Sequence, residues 1–275
     1  MSILTALRWL VFAIAALAMN FPVIATIVTA LKTPADIASN ASLIPRALTL
    51  DNFTAVFTVS ERLNIWKYLW NSLAASLIGT ILPILLCLPL AYAIARRGYG
   101  RGVLLPLVVN LRAMPLIIFA IPLYMMYQSL GLLDTRLGLG LILAVVNLPL
   151  ALVLLSNAVA EIPMEIDEAA AMDGARTGRI LTRLTLPLIR PAIATTFVFG
   201  FITAWNEFLF GLMLTTRDAV PMTVGASFFF SASGGGVQWG VAAAVIVVAS
   251  APPVLLGLVM YRQIGRSMLA GAVKG

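Results

Sequence analysis

Six long stretches of this chain are apolar and almost free of charge, and they constrain its fold more than any other feature. Only Arg112 and Glu207 interrupt them. A helix that crosses a bilayer needs about 20 largely apolar residues, because its backbone polar groups must be satisfied within the segment. The pattern predicts an all-α polytopic membrane protein with six transmembrane helices, at about 9–31, 68–95, 103–129, 137–160, 191–214 and 238–260.

The composition excludes several other classes of protein. Only 11% of the 275 residues are charged, whereas a soluble domain has roughly a quarter, so a soluble enzyme is excluded. The chain has no His and a single Cys, Cys87, which excludes imidazole catalysis, an internal disulfide and a His or Cys metal cage. We interpret the net charge of +7 as Lys and Arg gathered on the cytoplasmic side, not as a nucleic-acid surface.

The Lys and Arg residues also predict the orientation. With the N-terminus inside, the inner segments hold eleven of them and the outer segments six. The cluster of Arg96, Arg97 and Arg101 is the clearest inner marker. We therefore expect a multi-pass protein of the cell inner membrane with both termini in the cytoplasm. A cleaved signal peptide is the alternative for residues 1–31, although this apolar run exceeds the usual length of about 7–15 residues.

Three polar segments separate the predicted spans. Residues 32–66 form an outer segment, in which 48–57 can lie as a small helix on the membrane surface. Residues 217–237 are expected to form a second outer loop, rich in Phe and Gly. We divide the chain into an N-terminal part (1–66), a transmembrane core (67–262) with an inner loop at 161–190, and a cytoplasmic tail (263–275).

The inner loop predicts a short helix with a defined start and stop. Pro163 is tolerated at a helix start, and the acids at 165, 167 and 168 favour the positive end of the helix dipole. Alanines at 169–171 favour helix. Gly174 can end the helix in a left-handed conformation, and Thr177 can cap a second one. Such a helix suits docking to a partner, and the alternative is an ordinary connection between spans.

The same residues resemble a known motif. Glu168-Ala169-Ala170, then Gly174, and then Leu184-Thr-Leu-Pro187 match the EAA motif of ATP-binding-cassette importer permeases, with Leu184 in place of the usual Ile. Residues 114–115, 121–124, 131–135 and 204–210 resemble the sugar-importer branch, and 269–275 resembles the tail of the maltose-type second permease.

This resemblance implies a type I ABC importer permease fold and a set of partners. A second, homologous permease subunit would complete the pore, two ATPase subunits would bind ATP and Mg, and an extracytoplasmic solute-binding protein would deliver the sugar. The chain itself has no G-x-x-x-x-G-K-[ST] loop, so it is expected to hold no nucleotide. The implied coupling residues are Glu168, Ala169, Ala170, Asp173, Gly174, Leu184 and Pro187. The implied contacts with the binding protein are Phe228, Phe229, Phe230, Gly234 and Gly235. The alternative for the three Phe residues is packing within the outer loop.

Two charged positions within the spans have two interpretations each. Trp205, Asn206 and Glu207 can line the transport path, or Glu207 can make a structural hydrogen bond that orders a gate. Arg112 can attract an anionic sugar derivative, or extend to the interface and hold neighbouring carbonyls.

Two rival functions fit the sequence less well. A secondary transporter or channel needs ion-coupling carboxylates in the membrane, and only Glu207 is available. An intramembrane enzyme lacks the side chains for catalysis. The function that the resemblance implies is uptake of a sugar, oligosaccharide or sugar derivative, neutral or anionic, by alternating access.

Overall fold

Helices form nearly all of the regular structure. The computed structural model describes residues 3–60, 63–111, 114–230 and 236–272. Within these ranges there is no strand, only an isolated bridge between Lys32 and Leu48, so the all-α prediction is confirmed. The α-helices are α1 (Ile3–Ala30), α2 (Pro34–Ser39), α3 (Asp51–Phe57), α4 (Ile65–Arg97), α5 (Leu104–Leu111), α6 (Ala120–Ser129), α7 (Arg136–Ala160), α8 (Met164–Met172), α9 (Thr177–Ile180), α10 (Leu186–Leu188), α11 (Arg190–Trp205), α12 (Leu209–Leu214), α13 (Met222–Phe230) and α14 (Trp239–Ala272).

Four of the described helices, α1, α4, α7 and α14, are long and apolar enough to cross a membrane. A fifth crossing is available if the segment Thr177–Leu188 and α11, which meet at 75°, count as one bent span. The length of the described helices therefore accounts for four or five of the six predicted spans. The third and fifth predicted spans are not single continuous helices.

The third predicted span, 103–129, is interrupted near Pro115. Helix α5 ends at Leu111, a 3₁₀ turn covers Leu116–Phe119, and α6 follows. Proline removes a backbone donor and disfavours helical geometry at the residue before it, so the helix cannot run continuously through Pro115. Arg112 lies outside the described residues.

The fifth predicted span, 191–214, follows a bend in the chain and contains one break, and the apolar pattern conceals both. Its first helix, α11, bends away from the preceding segment at Ile189, because Pro191 has no N–H to continue the hydrogen-bond ladder. The break separates α11 from α12 at residues 206–208. Within the predicted outer loop at 217–237 the structure has a short helix, α13, and the side of the membrane on which this segment lies remains a prediction.

The chain divides into two compact units, and the first comprises Met1–Trp66 and Gly225–Ala251. Here residues 32–60 are organised by buried polar groups. Asn52 donates from Nδ2 to the carbonyls of Ala30 and Lys32, both at 2.9 Å. Asp36 accepts hydrogen bonds from the Asn40 side chain and the Arg46 N–H. The helix predicted within 48–57 is confirmed as α3.

The second unit comprises Lys67–Val224 and Pro252–Gly275, and its core brings α4, α7 and α11 together. Asn147 of α7 is buried and donates from Nδ2 to the carbonyls of Gly79 in α4 and Gly200 in α11, at 2.9 and 3.0 Å. The close approach requires glycine in α4, because a Cβ at Gly79 would lie 2.6 Å from Leu143 Cβ. These three helices form the frame on which the inner segment is held.

Candidate coupling site

The segment at 161–190, predicted to be the inner loop, contains a short helix with a sharp stop, as the sequence predicts. Helix α8 starts after Pro163 and carries acids in its first turn. At its end Gly174 adopts φ +81°. The Gly174 N–H donates to the Ala171 carbonyl, and the Ala175 N–H donates to the Ala170 carbonyl, both at 2.9 Å. This pair of bonds is a Schellman motif, which satisfies carbonyls that the helix end would leave open.

The predicted cap of the next helix is wrong in detail. Helix α9 does begin at Thr177, but Arg176 occupies the N-cap position and makes no side-chain cap. The Thr177 hydroxyl instead accepts a hydrogen bond of 3.0 Å from Nη2 of Arg97, at the end of α4. The hydroxyl therefore ties the segment to a neighbouring helix and does not satisfy a backbone donor of its own helix.

The motif residues divide between two faces. Glu168, Ala169 and Asp173 are exposed, and Met172 beside them is 88% exposed. By contrast, Ala170, Leu184 and Pro187 are half-buried, and the first two pack on an apolar cluster that includes Leu155, Val159 and Ile180. One side of α8 is thus free for a partner, while the other is seated on the protein.

A buried ion pair that the sequence analysis missed attaches α8 to α4. Asp167 of α8 lies 2.9 Å, Oδ2 to Nε, from Arg96 of α4, and their side chains are 8% and 6% exposed. The Tyr92 hydroxyl donates to the same Oδ2 at 2.8 Å. Two signals pointed to it: an acid beside the motif, and an Arg at the end of a span.

The contacts of Glu207 are those of the structural alternative. Its carboxylate accepts from the backbone N–H groups of Phe210 and Gly211, at 2.9 and 3.3 Å, and so caps the start of α12. Trp205 is buried and stacks on Phe201 with ring centroids 5.6 Å apart. Asn206 is exposed and donates to the Ile202 carbonyl. The role of these three residues in a transport path remains a prediction.

The turn before α7 contains a second carboxylate that the sequence analysis missed. Asp134, at φ +52°, accepts four backbone N–H groups, from residues 216–219, at 2.8 to 3.1 Å, and the Thr216 hydroxyl. Burial by itself raises the pKa of the Asp134 carboxyl, but these backbone donors outweigh burial and hold the pKa below its usual value.

The residues expected to meet a binding protein are not equally accessible. Phe228 is 39% exposed and Phe230 is half-buried. Phe229 is buried within the chain, because one side of α13 turns inward. The burial of Phe229 fits packing within the chain, and contact of these rings with a binding protein remains a prediction. Gly234 and Gly235 lie outside the described residues.

Four apolar helices of membrane-crossing length within the described ranges and an exposed short helix between α7 and α11 are the features to compare with known proteins. Residues 84–270 match the family described as the binding-protein-dependent transport system inner membrane component. The chain belongs to this family. The resemblance carried by the EAA motif is thereby confirmed.

Similar proteins include permeases of sugar transport systems. The chain is 33% identical over 245 residues to the trehalose transport system permease protein SugB of Mycobacterium tuberculosis, covering 88% of each. It is 34% identical over 237 residues to the alpha-glucoside transport system permease protein AglG of Rhizobium meliloti, covering 84% of this chain and 62% of that one. Its fold matches a bacterial ABC transporter involved in alginate import, with a TM-score of 0.79, 22% identity, and coverage of 94% and 96%.

Proposed function

We propose that this chain is the permease subunit of an ATP-driven importer for a sugar, oligosaccharide or sugar derivative. The observation that carries the proposal is α8, which ends in a Schellman motif and leaves Glu168, Ala169 and Asp173 exposed. The relatives that transport trehalose and alpha-glucosides support the substrate class. A second permease subunit completes the pore, and a solute-binding protein delivers the sugar.

ATP binding closes the ATPase pair in this proposal, and the exposed face of α8 receives the movement. Small side chains on this face allow close seating in a cleft of the ATPase. ATP and Mg are bound by the partner ATPase, and this chain holds no cofactor. Phe228 is the aromatic ring of α13 that we assign to contact with the binding protein. Both termini lie in the cytoplasm, on the same side as α8.

Site-directed cross-linking tests the docking role of α8. In a background without the native thiol (Cys87→Ser), the variant Met172→Cys is expected to form a cross-link with the co-expressed ATPase subunit through a bifunctional reagent. The matched control is Ile44→Cys, which is 78% exposed but lies in the predicted outer segment. The absence of a cross-link at position 172 would contradict the docking surface. A cross-link at position 44 would contradict the orientation.

Uptake into proteoliposomes tests the substrate class. The complete transporter, with ATP inside and the binding protein outside, is supplied in turn with radiolabelled trehalose, maltose and diacetylchitobiose, and with methionine as a non-sugar control. We expect ATP-dependent accumulation of at least one carbohydrate and no accumulation of methionine. Accumulation by this chain alone, without the ATPase, would favour a secondary transporter.

A further inference from the structure

The ion pair between Asp167 and Arg96 is buried, away from the exposed face of α8, so docking of a partner does not account for it. Glu168, the first residue of the motif, is exposed, whereas its neighbour Asp167 points into the protein. Burying two charges has a high desolvation cost, which their attraction offsets only when the geometry is good. A buried charge at this junction therefore calls for a role of its own.

The contacts of Arg96 extend across the start of α8. Besides the ion pair, its Nη1 donates to the carbonyl of Ile162, just before α8, at 2.9 Å. Tyr92 and Arg96 are four residues apart, so they lie on one face of α4, and both reach the same oxygen of Asp167. One turn of α4 thus contacts both Ile162, just before α8, and the first turn of α8.

The unpaired donors of Arg96 indicate that this contact positions α8 against α4 and adds little to the stability of the fold. Arg96 Nε and Nη2 are both buried and make no hydrogen bond among the described residues, so Nε meets Asp167 as an ion pair without hydrogen-bond geometry. An ion pair with an unsatisfied donor is a poor source of stability, because apolar side chains of similar volume often stabilise such a site equally well or better. The directional bonds at this site are the hydrogen bonds from the Tyr92 hydroxyl to Asp167 and from Arg96 Nη1 to the Ile162 carbonyl. They fix the relative position of α4 and α8 more strictly than apolar contacts alone.

We propose that Asp167 is a positioning residue of the import cycle. Together with Arg96 and Tyr92 it forms a rigid joint between α8 and the end of α4, so that a displacement of α8 by the ATPase moves α4. This inference rests on the proposed function, in which α8 receives the ATPase. It adds the route by which the movement enters the membrane helices.

Hydrogen–deuterium exchange on the complete transporter tests the joint without an attached probe and without a transported sugar. Exchange is measured over 90–97 in α4 and over 164–172 in α8, with and without a non-hydrolysable ATP analogue. In the native complex we expect the nucleotide to change the exchange rates of both segments by about fivefold or more. In Asp167→Asn we expect the change in α8 to remain and the change in α4 to disappear.

Three further variants separate a joint from a merely structural role. Asp167→Glu keeps the carboxylate and is expected to restore the response of α4. Tyr92→Phe keeps the ion pair, is expected to fold, and should weaken the response of α4 only. Arg101→Gln removes a positive charge at an exposed position beyond α4 and outside the joint, and as the control it should retain both responses.

The outcomes distinguish the joint from the proposed function. If α8 of the native complex does not respond to nucleotide, the proposed docking is wrong, and the joint has no movement to transmit. If α8 responds but α4 does not, or if α4 still responds in Asp167→Asn, the joint is wrong and docking stands. If Asp167→Asn does not assemble, Tyr92→Phe decides: an undiminished response of α4 overturns the joint.

Discussion

At the scale of single residues, a left-handed backbone conformation shapes two polar turns, one before α7 and one after α8. Gly174 takes a left-handed conformation that ends α8. Asp134 also takes a left-handed conformation, and its carboxylate accepts hydrogen bonds from the N–H groups of residues 216–219. The sequence signalled the first, because a Gly after an alanine run is a common helix stop. It did not signal the second, because the partners lie over 80 residues away.

Replacing Gly174 by Ala is expected to destabilise the protein through the backbone alone. A Cβ at this position meets nothing within 4 Å, so the cost is that of a left-handed conformation for an L-residue, about 1 kcal/mol. Thermal unfolding in detergent measures it. The control is Gly178→Ala, in helix α9 and equally open, where we expect stability to be unchanged or higher by roughly 0.5 kcal/mol. Equal effects at both positions would contradict this explanation.

The carboxylate of Asp134 predicts a pH dependence. Because its pKa is lowered in the folded protein, its contribution to stability is present above the unfolded pKa, near 3.8, and is lost as the pH falls through the lower folded value. We expect the difference in unfolding temperature between the native chain and Asp134→Asn to shrink as the pH is lowered from 6 towards about 3.

Two features make Asn the informative substitution at position 134. Asn tolerates the left-handed backbone, so the change tests the charge and its acceptors. The control is Asp218→Asn in the facing turn, which removes an exposed ion pair with Lys67 that contributes between about 0 and 1 kcal/mol. If the difference in unfolding temperature between the native chain and Asp218→Asn changed with pH as much as that for Asp134→Asn, the pH dependence could not be assigned to Asp134.

At the scale of elements, side chains and prolines decide where the apolar segments are interrupted. Helix α12 starts because Glu207 satisfies the N–H groups of its first turn, and the Thr223 hydroxyl donates to the Glu207 carbonyl at 2.8 Å. Hydropathy does not distinguish this arrangement from one continuous helix, since the residues on both sides are equally apolar. The contact pattern favours a structural role for Glu207.

Substitutions of Glu207 separate the structural role from a role in the transport path. In Glu207→Gln an amide oxygen can still accept from Phe210 N–H, so we expect uptake and stability close to native. In Glu207→Ala no acceptor remains, and a loss of about 1 kcal/mol in unfolding free energy is expected. Loss of uptake in Glu207→Gln at native stability would instead place the charge in the path.

At the scale of the whole molecule, the second unit is held together by polar contacts at three levels along α7. Asp134 lies before its start, Asn147 near its middle, and the Asp167 ion pair beyond its end. Apolar side chains fill the space between these levels. In a bilayer the apolar effect does not drive helices together, so small residues and hydrogen bonds between helices carry much of the specificity.

Substitution of Asn147 tests the middle level. Asn147→Leu removes two hydrogen bonds, each of which contributes about 0.6 kcal/mol in a membrane protein, so we expect a loss of roughly 1 kcal/mol in unfolding free energy. The comparison is Asn157→Leu, on the same helix but exposed, which should change stability little. A loss no larger than that of the control would show that packing alone joins α4, α7 and α11.

Local sequence determined the helical class, the apolar segments and the short helix α8 with its stop at Gly174, because hydropathy, alanine content and glycine geometry act over a few residues. Only the tertiary structure decided that Phe229 turns inward, that Asp167 faces Arg96 and that Asp134 holds residues 216–219. These contacts join residues that are far apart in the chain, and their energies depend on burial and on donor geometry, which exist only after the helices have packed.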